Sequence, residues 1–226
     1  MLGGIILKET KAVQWMDYLW LSLYAFLVLG LEIVLVYLIE PIIFNVDLSK
    51  YSTAKIIYHW IATIILWGIM AFILSKVSKK KYGFDYWDYQ EKMNQKDWII
   101  TLFLVLVSIG ISIWNWSGWK VYKELHNLGW LKFTFQYLYY LMETVLIVLI
   151  IVFSQKAGEL KFSKSNIPWG GILVGLTWGL AHALTKGNLN AGILSFFSGL
   201  LYGVVYLLVK KNIRIAYPLI ACMFIL

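Results

Sequence analysis

Residues 133–154 read FTFQYLYYLMETVLIVLIIVFS, and Glu143 is the only charged side chain among them. About 20 predominantly apolar residues in helical form cross the hydrocarbon core of a bilayer. A helix is expected because backbone polar groups must find their partners inside the segment where there is no water. This stretch therefore predicts a transmembrane helix with one carboxylate well inside it.

Six further apolar segments predict the same environment. They lie near 18–40, 55–77, 97–116, 168–186, 191–209 and 213–226. We therefore predict an all-α fold, a polytopic transmembrane helix bundle with about seven membrane segments, the last one short. The chain has three Pro and no low-complexity boundary. Residues 1–226 are thus expected to form a single integral membrane domain.

The composition agrees with a membrane protein and excludes other classes. Hydrophobic residues make up 61% of the chain and charged residues 14%, against about 25% charged in soluble domains. No basic domain stands apart from the apolar segments, so the net charge of +8 does not indicate nucleic-acid binding. A single cysteine, Cys222, excludes an intramolecular disulfide. The partner that the composition implies is the lipid bilayer.

The placement of the basic residues predicts the orientation. The side opposite the N-terminus carries only six of the 20 Lys and Arg, namely Lys50, Lys55, Lys120, Lys123, Lys132 and Lys186. Because Lys and Arg are in excess in cytoplasmic loops, the N-terminus is expected in the cytoplasm. All the basic residues except Arg214 are Lys, which favours an AT-rich bacterial genome. The predicted location is a bacterial cytoplasmic membrane.

Two carboxylates fall well inside predicted spans. Glu143 shares one helix face with Gln136 and Tyr140, at i, i+4 and i+7. Intramembrane carboxylates are costly and usually face the bundle interior or a water-filled cavity. Glu143 is therefore a functional candidate, with a structural hydrogen-bond anchor between helices as the alternative. Glu32 is a functional candidate on the same argument. It is a weaker one, because it lies nearer the end of its span.

His182 is the histidine best placed for chemistry. His59 has an interfacial position that indicates a structural role, and His126 is expected in a loop. His182 projects from nearly the same helix face as three glycines spaced four residues apart. The next span has a pair of glycines with the same spacing. These small residues predict close packing of the two helices, with His182 turned into the protein. They are Gly171, Gly175, Gly179, Gly199 and Gly203.

The stretch from about 133 to 226 resembles the core of the CPBP family, the CAAX prenyl endopeptidase and bacteriocin-processing membrane proteins, also called Abi. That family carries Glu-Glu-x-x-x-Arg on one membrane helix, Phe-x-x-x-His on a later one, and a further His, often with Asn, near the end. Leu141-Met142-Glu143-Thr144 lies where the first motif belongs, and Trp178-Gly179-Leu180-Ala181-His182 where the second belongs. The Gly-rich segment 199–206 resembles the helix that follows in the family.

The chain also departs from the family motifs. The neighbours of Glu143 are not acidic, so the second Glu is missing, and the Arg position is Ile147 or Val148. The best counterpart of the second His is Cys222, and no matching Asn follows. Loss of one oxyanion donor lowers turnover by about 100- to 1,000-fold in a well-studied protease. The resemblance therefore implies weakened or lost catalysis.

The resemblance implies a Glu/His-dependent intramembrane endopeptidase, a hydrolase. Glu143 would be the general base, and His182 its partner at the attacking water. Gln136, Tyr140, Trp178 and Cys222 are the expected lining of the site.

A non-catalytic membrane scaffold, a pseudoenzyme that binds a peptide or protein, is the alternative. Bacteriocin immunity or an export-associated role would suit it, and either version implies a membrane-embedded peptide or protein partner. No cofactor is expected, because one His and one Glu fall short of the three protein ligands of catalytic zinc. Cys222 could make a third ligand only if the last segment folds back beside the other two, which leaves a metal open.

Overall fold

The computed structural model describes residues 13–45, 50–88 and 91–226, which form seven helices and no strand. They are α1 (Trp15–Phe44), α2 (Thr53–Tyr82), α3 (Gln95–Asn115), α4 (Lys120–Phe162), α5 (169–185), α6 (Leu189–Leu208) and α7 (Ile213–Ile225). The all-α prediction is confirmed. Of these described helices, five (α1, α2, α3, α4 and α6) are long and apolar enough to cross a membrane. Seven complete crossings, by contrast, stay a prediction.

Helix α4 is the centre of the bundle. It contacts α1, α2, α5 and α7, and residues 146–153 are buried on every side of the helix. A helix that is apolar all round belongs in a core rather than at a polar surface. Glu143 precedes this enclosed stretch by one turn, so the fold places it where the core meets the polar end of the helix.

Two helices contain a π-helical turn. In α1 it spans Leu35–Ile39, and in α5 it spans Gly175–Gly179. Each interrupts an otherwise regular α-helix, and such interruptions are frequent at functional sites. The first lies between Glu32 and Glu40, and the second contains Trp178.

Helix α4 folds back on itself at Gly129. This glycine has φ 71° and ψ 161°, which is not helical. In a straight helix, Lys120 and Tyr140 would lie about 30 Å apart, but Lys120 Nζ is 4.7 Å from the centroid of the Tyr140 ring. The segment 120–128, here called the α4 arm, therefore lies against the first turns after the kink. The prediction of a loop around His126 is wrong, because this arm is helical.

The glycines of α5 and α6 bring the two backbones into contact. A Cβ added at Gly203 would lie 2.4 Å from the Cα of Gly171, and one at Gly199 would lie 2.7 Å from the backbone nitrogen of Gly175. These distances leave no room for a side chain. The close packing predicted from the spacing of the glycines is confirmed.

The two ends of the bundle differ. We call one of them the site end; it comprises the carboxyl ends of α1, α3, α5 and α7 and the amino ends of α2, α4 and α6. Contacts such as the hydrogen bond from Ser112 Oγ to the Leu226 carbonyl, at 3.3 Å, connect these helix ends to one another. At the opposite end, Lys210 pairs with Asp97 at 3.0 Å, and Lys211 Nζ with Glu159 Oε1 at 2.6 Å. Glu32, Glu143 and His182 all belong to the site end.

Gln155 connects α4 to the start of α5 at the opposite end. Its Nε2 donates to the Ile167 carbonyl at 3.0 Å, and its Oε1 accepts from the Gly170 backbone N–H at 3.1 Å. Only 1% of the residue is exposed. The Ile167 carbonyl and the Gly170 N–H therefore both have the Gln155 side-chain amide as a hydrogen-bond partner.

We expect Gln155→Leu to lower the free energy of unfolding by about 2 kcal/mol or more, because a buried polar group left without its partner costs about 1–3 kcal/mol. Chemical denaturation of the detergent-solubilised protein measures this. Gln95→Leu, at an exposed position, is the matched control. Equal stability of the two variants would contradict the role assigned to the Gln155 amide.

Candidate functional site

The Trp178 indole holds the Glu143 carboxylate. Trp178 Nε1 donates to Glu143 Oε1 at 2.8 Å, joining α4 to α5. Trp178 itself is buried, whereas Glu143 is half-buried. Among the described residues, Glu143 Oε2 has no hydrogen-bond partner. One carboxylate oxygen is therefore fixed in place while the other stays able to accept a proton.

The same tryptophan orients the His182 ring. His182 Nδ1 lies 2.9 Å from the Trp178 backbone carbonyl, and the two rings meet edge to face with centroids 4.5 Å apart. A carbonyl oxygen only accepts, so Nδ1 carries the proton of this bond. In the neutral ring, Nε2 then keeps its lone pair. His182 is half-buried, and its Nε2 is suited to accept or relay a proton.

Glu143 and His182 are linked through Trp178 rather than directly. No hydrogen bond joins their side chains within the described ranges 13–45, 50–88 and 91–226. Phe224 of α7 packs on the Trp178 ring with centroids 5.5 Å apart, and also on Tyr140 at 5.5 Å. The structure therefore brings three of the predicted site residues, Glu143, Trp178 and His182, into one contiguous cluster.

Gln136 and Tyr140, two predicted lining residues, meet a different carboxylate. The Tyr140 hydroxyl donates to Glu124 Oε1 at 3.1 Å, and Gln136 Nε2 donates both to the Tyr140 hydroxyl and to Glu124 Oε1, the latter at 3.4 Å. Tyr137 donates to Glu124 Oε2 at 2.9 Å. Glu124 belongs to the α4 arm, so the fold-back at Gly129 brings it here.

Lys120 is the functional candidate that the sequence did not reveal. It is buried, its Nζ donates to the Phe224 carbonyl at 3.3 Å, and its charge lies within electrostatic range of Glu143 and Glu124. The sequence pattern indicated a lysine at the membrane surface. No sequence signal marks it, because its place depends on the backbone at Gly129.

At the positions where the family has its Arg and its second His, this chain has no side chain of equivalent chemistry. Ile147 and Val148, at the expected place of the family Arg, are enclosed in the apolar core. Cys222 is exposed, and the α7 residue in contact with the Trp178 ring is Phe224. Neither place supplies a donor for a developing oxyanion.

A second polar cluster lies at the same end of the bundle. His59 lies between Glu40 and Glu32, and Tyr139 donates to Glu32 Oε2 at 2.7 Å. The sequence indicated Glu32 as a weaker functional candidate and His59 as a structural residue. The signal that could have found the cluster is the pair of acidic residues flanking one apolar run.

Across the described ranges, no group of three His, Cys, Asp or Glu side chains has an arrangement suited to a metal ion. No family model, curated protein or solved structure matches this chain. The resemblance to the CPBP family therefore stays a prediction from the motifs.

Proposed function

We propose that this chain is a CPBP-like intramembrane protein whose Glu143–Trp178–His182 cluster binds a membrane-embedded peptide and hydrolyses it with weakened catalytic power. The observation that carries the proposal is the double role of Trp178. Its indole fixes one oxygen of Glu143, and its backbone carbonyl fixes one nitrogen of His182. The two remaining polar atoms, Glu143 Oε2 and His182 Nε2, are those that general acid–base chemistry needs.

In the proposed reaction, Glu143 acts as the general base. A water molecule gives a proton to Glu143 Oε2 while its oxygen attacks the carbonyl carbon of the peptide bond. His182 Nε2 accepts a hydrogen bond from the same water and orients it. The proton then passes from Glu143 to the departing amine, so the carboxylate is restored and the C–N bond is broken.

The weak point of this site is stabilisation of the oxyanion. Preorganised donors at that position are often the largest single contribution to catalysis, and Ile147, Val148 and Cys222 supply none. Lys120 is a cation within electrostatic range of Glu143, but its Nζ already donates to the Phe224 carbonyl. We therefore expect the turnover to be slow.

A non-catalytic scaffold is the second candidate function. The edge-to-face contacts of Phe224 with Trp178 and Tyr140 favour it, because a cluster of aromatic rings suits binding of an apolar peptide more than stabilisation of an oxyanion. Such a protein would retain a peptide without cutting it, as in bacteriocin immunity or an export-associated role.

We further propose a bacterial cytoplasmic membrane with a cytoplasmic N-terminus, from the distribution of Lys and Arg in the sequence. In this orientation the site end faces away from the cytoplasm. A peptide substrate or partner would then reach Glu143 from the outer half of the bilayer.

The test uses the protein in lipid nanodiscs with a library of hydrophobic peptides. We expect fragments from the wild type, and about 100-fold fewer from Glu143→Gln and from His182→Ala, typical of removing a proton-transfer group. Mass spectrometry of the peptides measures this. Glu91→Gln, at an exposed position, is the control and should cut like the wild type.

Two other outcomes are informative. If no protein cuts but the wild type retains peptides that Trp178→Ala does not, the scaffold function replaces the hydrolase. If the wild type neither cuts nor retains any peptide, or if both active-site variants cut like the wild type, the proposal is wrong.

A further inference from the structure

An open cavity lies at the end of the bundle opposite the site end, between the amino ends of α3 and α7. Its volume is about 450 Å³, equal to that of roughly 15 water molecules in the liquid. The lining combines charged and apolar side chains. Because the Glu143–Trp178–His182 cluster belongs to the site end, this cavity is separate from the proposed active site.

Two cations line this cavity without a counter-ion. Arg214, in the first turn of α7, and Lys92, just before α3, are both exposed. Neither forms an ion pair with a carboxylate in the described part of the chain. The two lysines that precede α7 differ from them, because each is paired with a carboxylate. The cavity therefore presents two positive charges that a ligand can use.

The donors in the lining suit a phosphodiester. A guanidinium presents its N–H groups in a planar fork that matches two phosphate oxygens, and Arg214 is the only arginine of the chain. The backbone N–H of Arg214 already donates to Asn212 Oδ1 at 3.0 Å, so the side chain has to hold the anion. Glu91 also lines the cavity but has no donor when ionised. Together with Lys92, these charged side chains sum to +1, which matches the single negative charge of a phosphodiester.

The rest of the lining favours a lipid over a soluble anion. Met93, Trp98 and Ile215 form its apolar part, which a free phosphate would leave unused. Trp98 is 39% exposed and begins the stretch 98–119, which has no charged residue. Tryptophan is enriched where a membrane meets water. The cavity therefore lies at the level of the lipid headgroups, with cations toward water and apolar side chains toward the hydrocarbon.

We propose that this cavity binds the phosphodiester group of an anionic phospholipid. Arg214 donates to two phosphate oxygens, Lys92 supplies a second positive charge, and the first carbons of the acyl chains lie against Trp98 and Ile215. With the N-terminus in the cytoplasm, this end of the bundle lies at the cytoplasmic leaflet, where basic pockets between membrane helices bind acidic headgroups. The lipid site does not require the hydrolytic function.

Native mass spectrometry of the detergent-solubilised protein, titrated with phosphatidylglycerol or with phosphatidylcholine of the same acyl chains, tests the proposal. We expect the wild type to bind its first phosphatidylglycerol more tightly than phosphatidylcholine. Arg214→Gln should weaken the binding of phosphatidylglycerol about 10-fold or more, because charge-assisted hydrogen bonds to the phosphate are lost. Lys164→Gln removes the same charge at the same end, from an exposed position outside the cavity, and should bind like the wild type.

A second variant and a competitor complete the test. Lys92 lies outside the helices, so Lys92→Gln should weaken lipid binding, by a smaller factor than Arg214→Gln, without disturbing a helix. Inorganic phosphate, compared with chloride at the same ionic strength, should leave the lipid bound. Equal affinity for the two lipids, or equal binding by Arg214→Gln and Lys164→Gln, would overturn the proposal. Displacement of the lipid by phosphate would assign the cavity to a soluble anion and overturn it as well.

Discussion

Gly203→Ala is expected to destabilise the protein by about 3 kcal/mol or more, at the upper end of the cost of overpacking. The added Cβ would lie 2.4 Å from both the Cα and the backbone nitrogen of Gly171. Because the neighbour is backbone, no rotamer change can relieve the contact. The two helices must move apart, and α5, which carries Trp178 and His182, must move with them.

Thermal unfolding of the detergent-solubilised protein measures this effect. Gly110→Ala in α3 is the matched control, since an added Cβ there has no atom within 4 Å. The control should be neutral or slightly stabilising, because Ala is the better helix former. The same unfolding temperature for both variants would show that α5 and α6 are not in backbone contact.

Gly129→Ala is expected to release the α4 arm. The φ of 71° and ψ of 161° at this residue lie in a region open essentially to glycine alone, and an L-residue there costs about 1–3 kcal/mol. No atom lies within 4 Å of an added Cβ, so the cost comes from the backbone alone. The variant can escape it by continuing the helix, which carries Lys120 and Glu124 away from Tyr140.

Spin labels at the exposed positions 122 and 138, introduced with Cys222→Ser, measure this rearrangement. In a straight helix the labels would lie about 24 Å apart, and we expect the distance in Gly129→Ala to lengthen toward that value. Gly30→Ala, in open space on α1, should leave the distance unchanged. A short distance in Gly129→Ala would mean that the contacts of the arm outweigh the backbone strain.

The helices could be predicted from the sequence because apolar length is a property of each segment alone. The predicted span 55–77 falls within Thr53–Tyr82, and 191–209 nearly coincides with Leu189–Leu208. The contact between α5 and α6 was also accessible, since glycines four residues apart mark a helix face wherever they occur. For the candidate site, the sequence drew attention to Glu143, Trp178 and His182, which the structure brings together.

The remaining polar contacts depend on backbone irregularities that periodicity does not reveal. The pairing of Glu124 with Tyr140 requires the turn at Gly129, and the meeting of Glu32 and Glu40 at His59 requires the π-helical turn. A calculation with 3.6 residues per turn places Glu40 on a different face from Glu32. Cys222 was expected to line the site from motif order alone, but the face that α7 presents to Trp178 carries Phe224.

The π-helical turn of α1 has a consequence for how this protein can evolve. A helix with one such turn has one residue more than the regular helix it replaces, so losing a single codon within 35–39 would restore an unbroken hydrogen-bond ladder. Substitutions would have to remove the buried acid and its histidine one at a time, each through an intermediate with an unpaired charge. A one-codon deletion separates Glu40 from His59 in one event, while the apolar length of the span barely changes. The presence or absence of that codon would therefore divide descendants of this sequence more sharply than any single amino-acid difference.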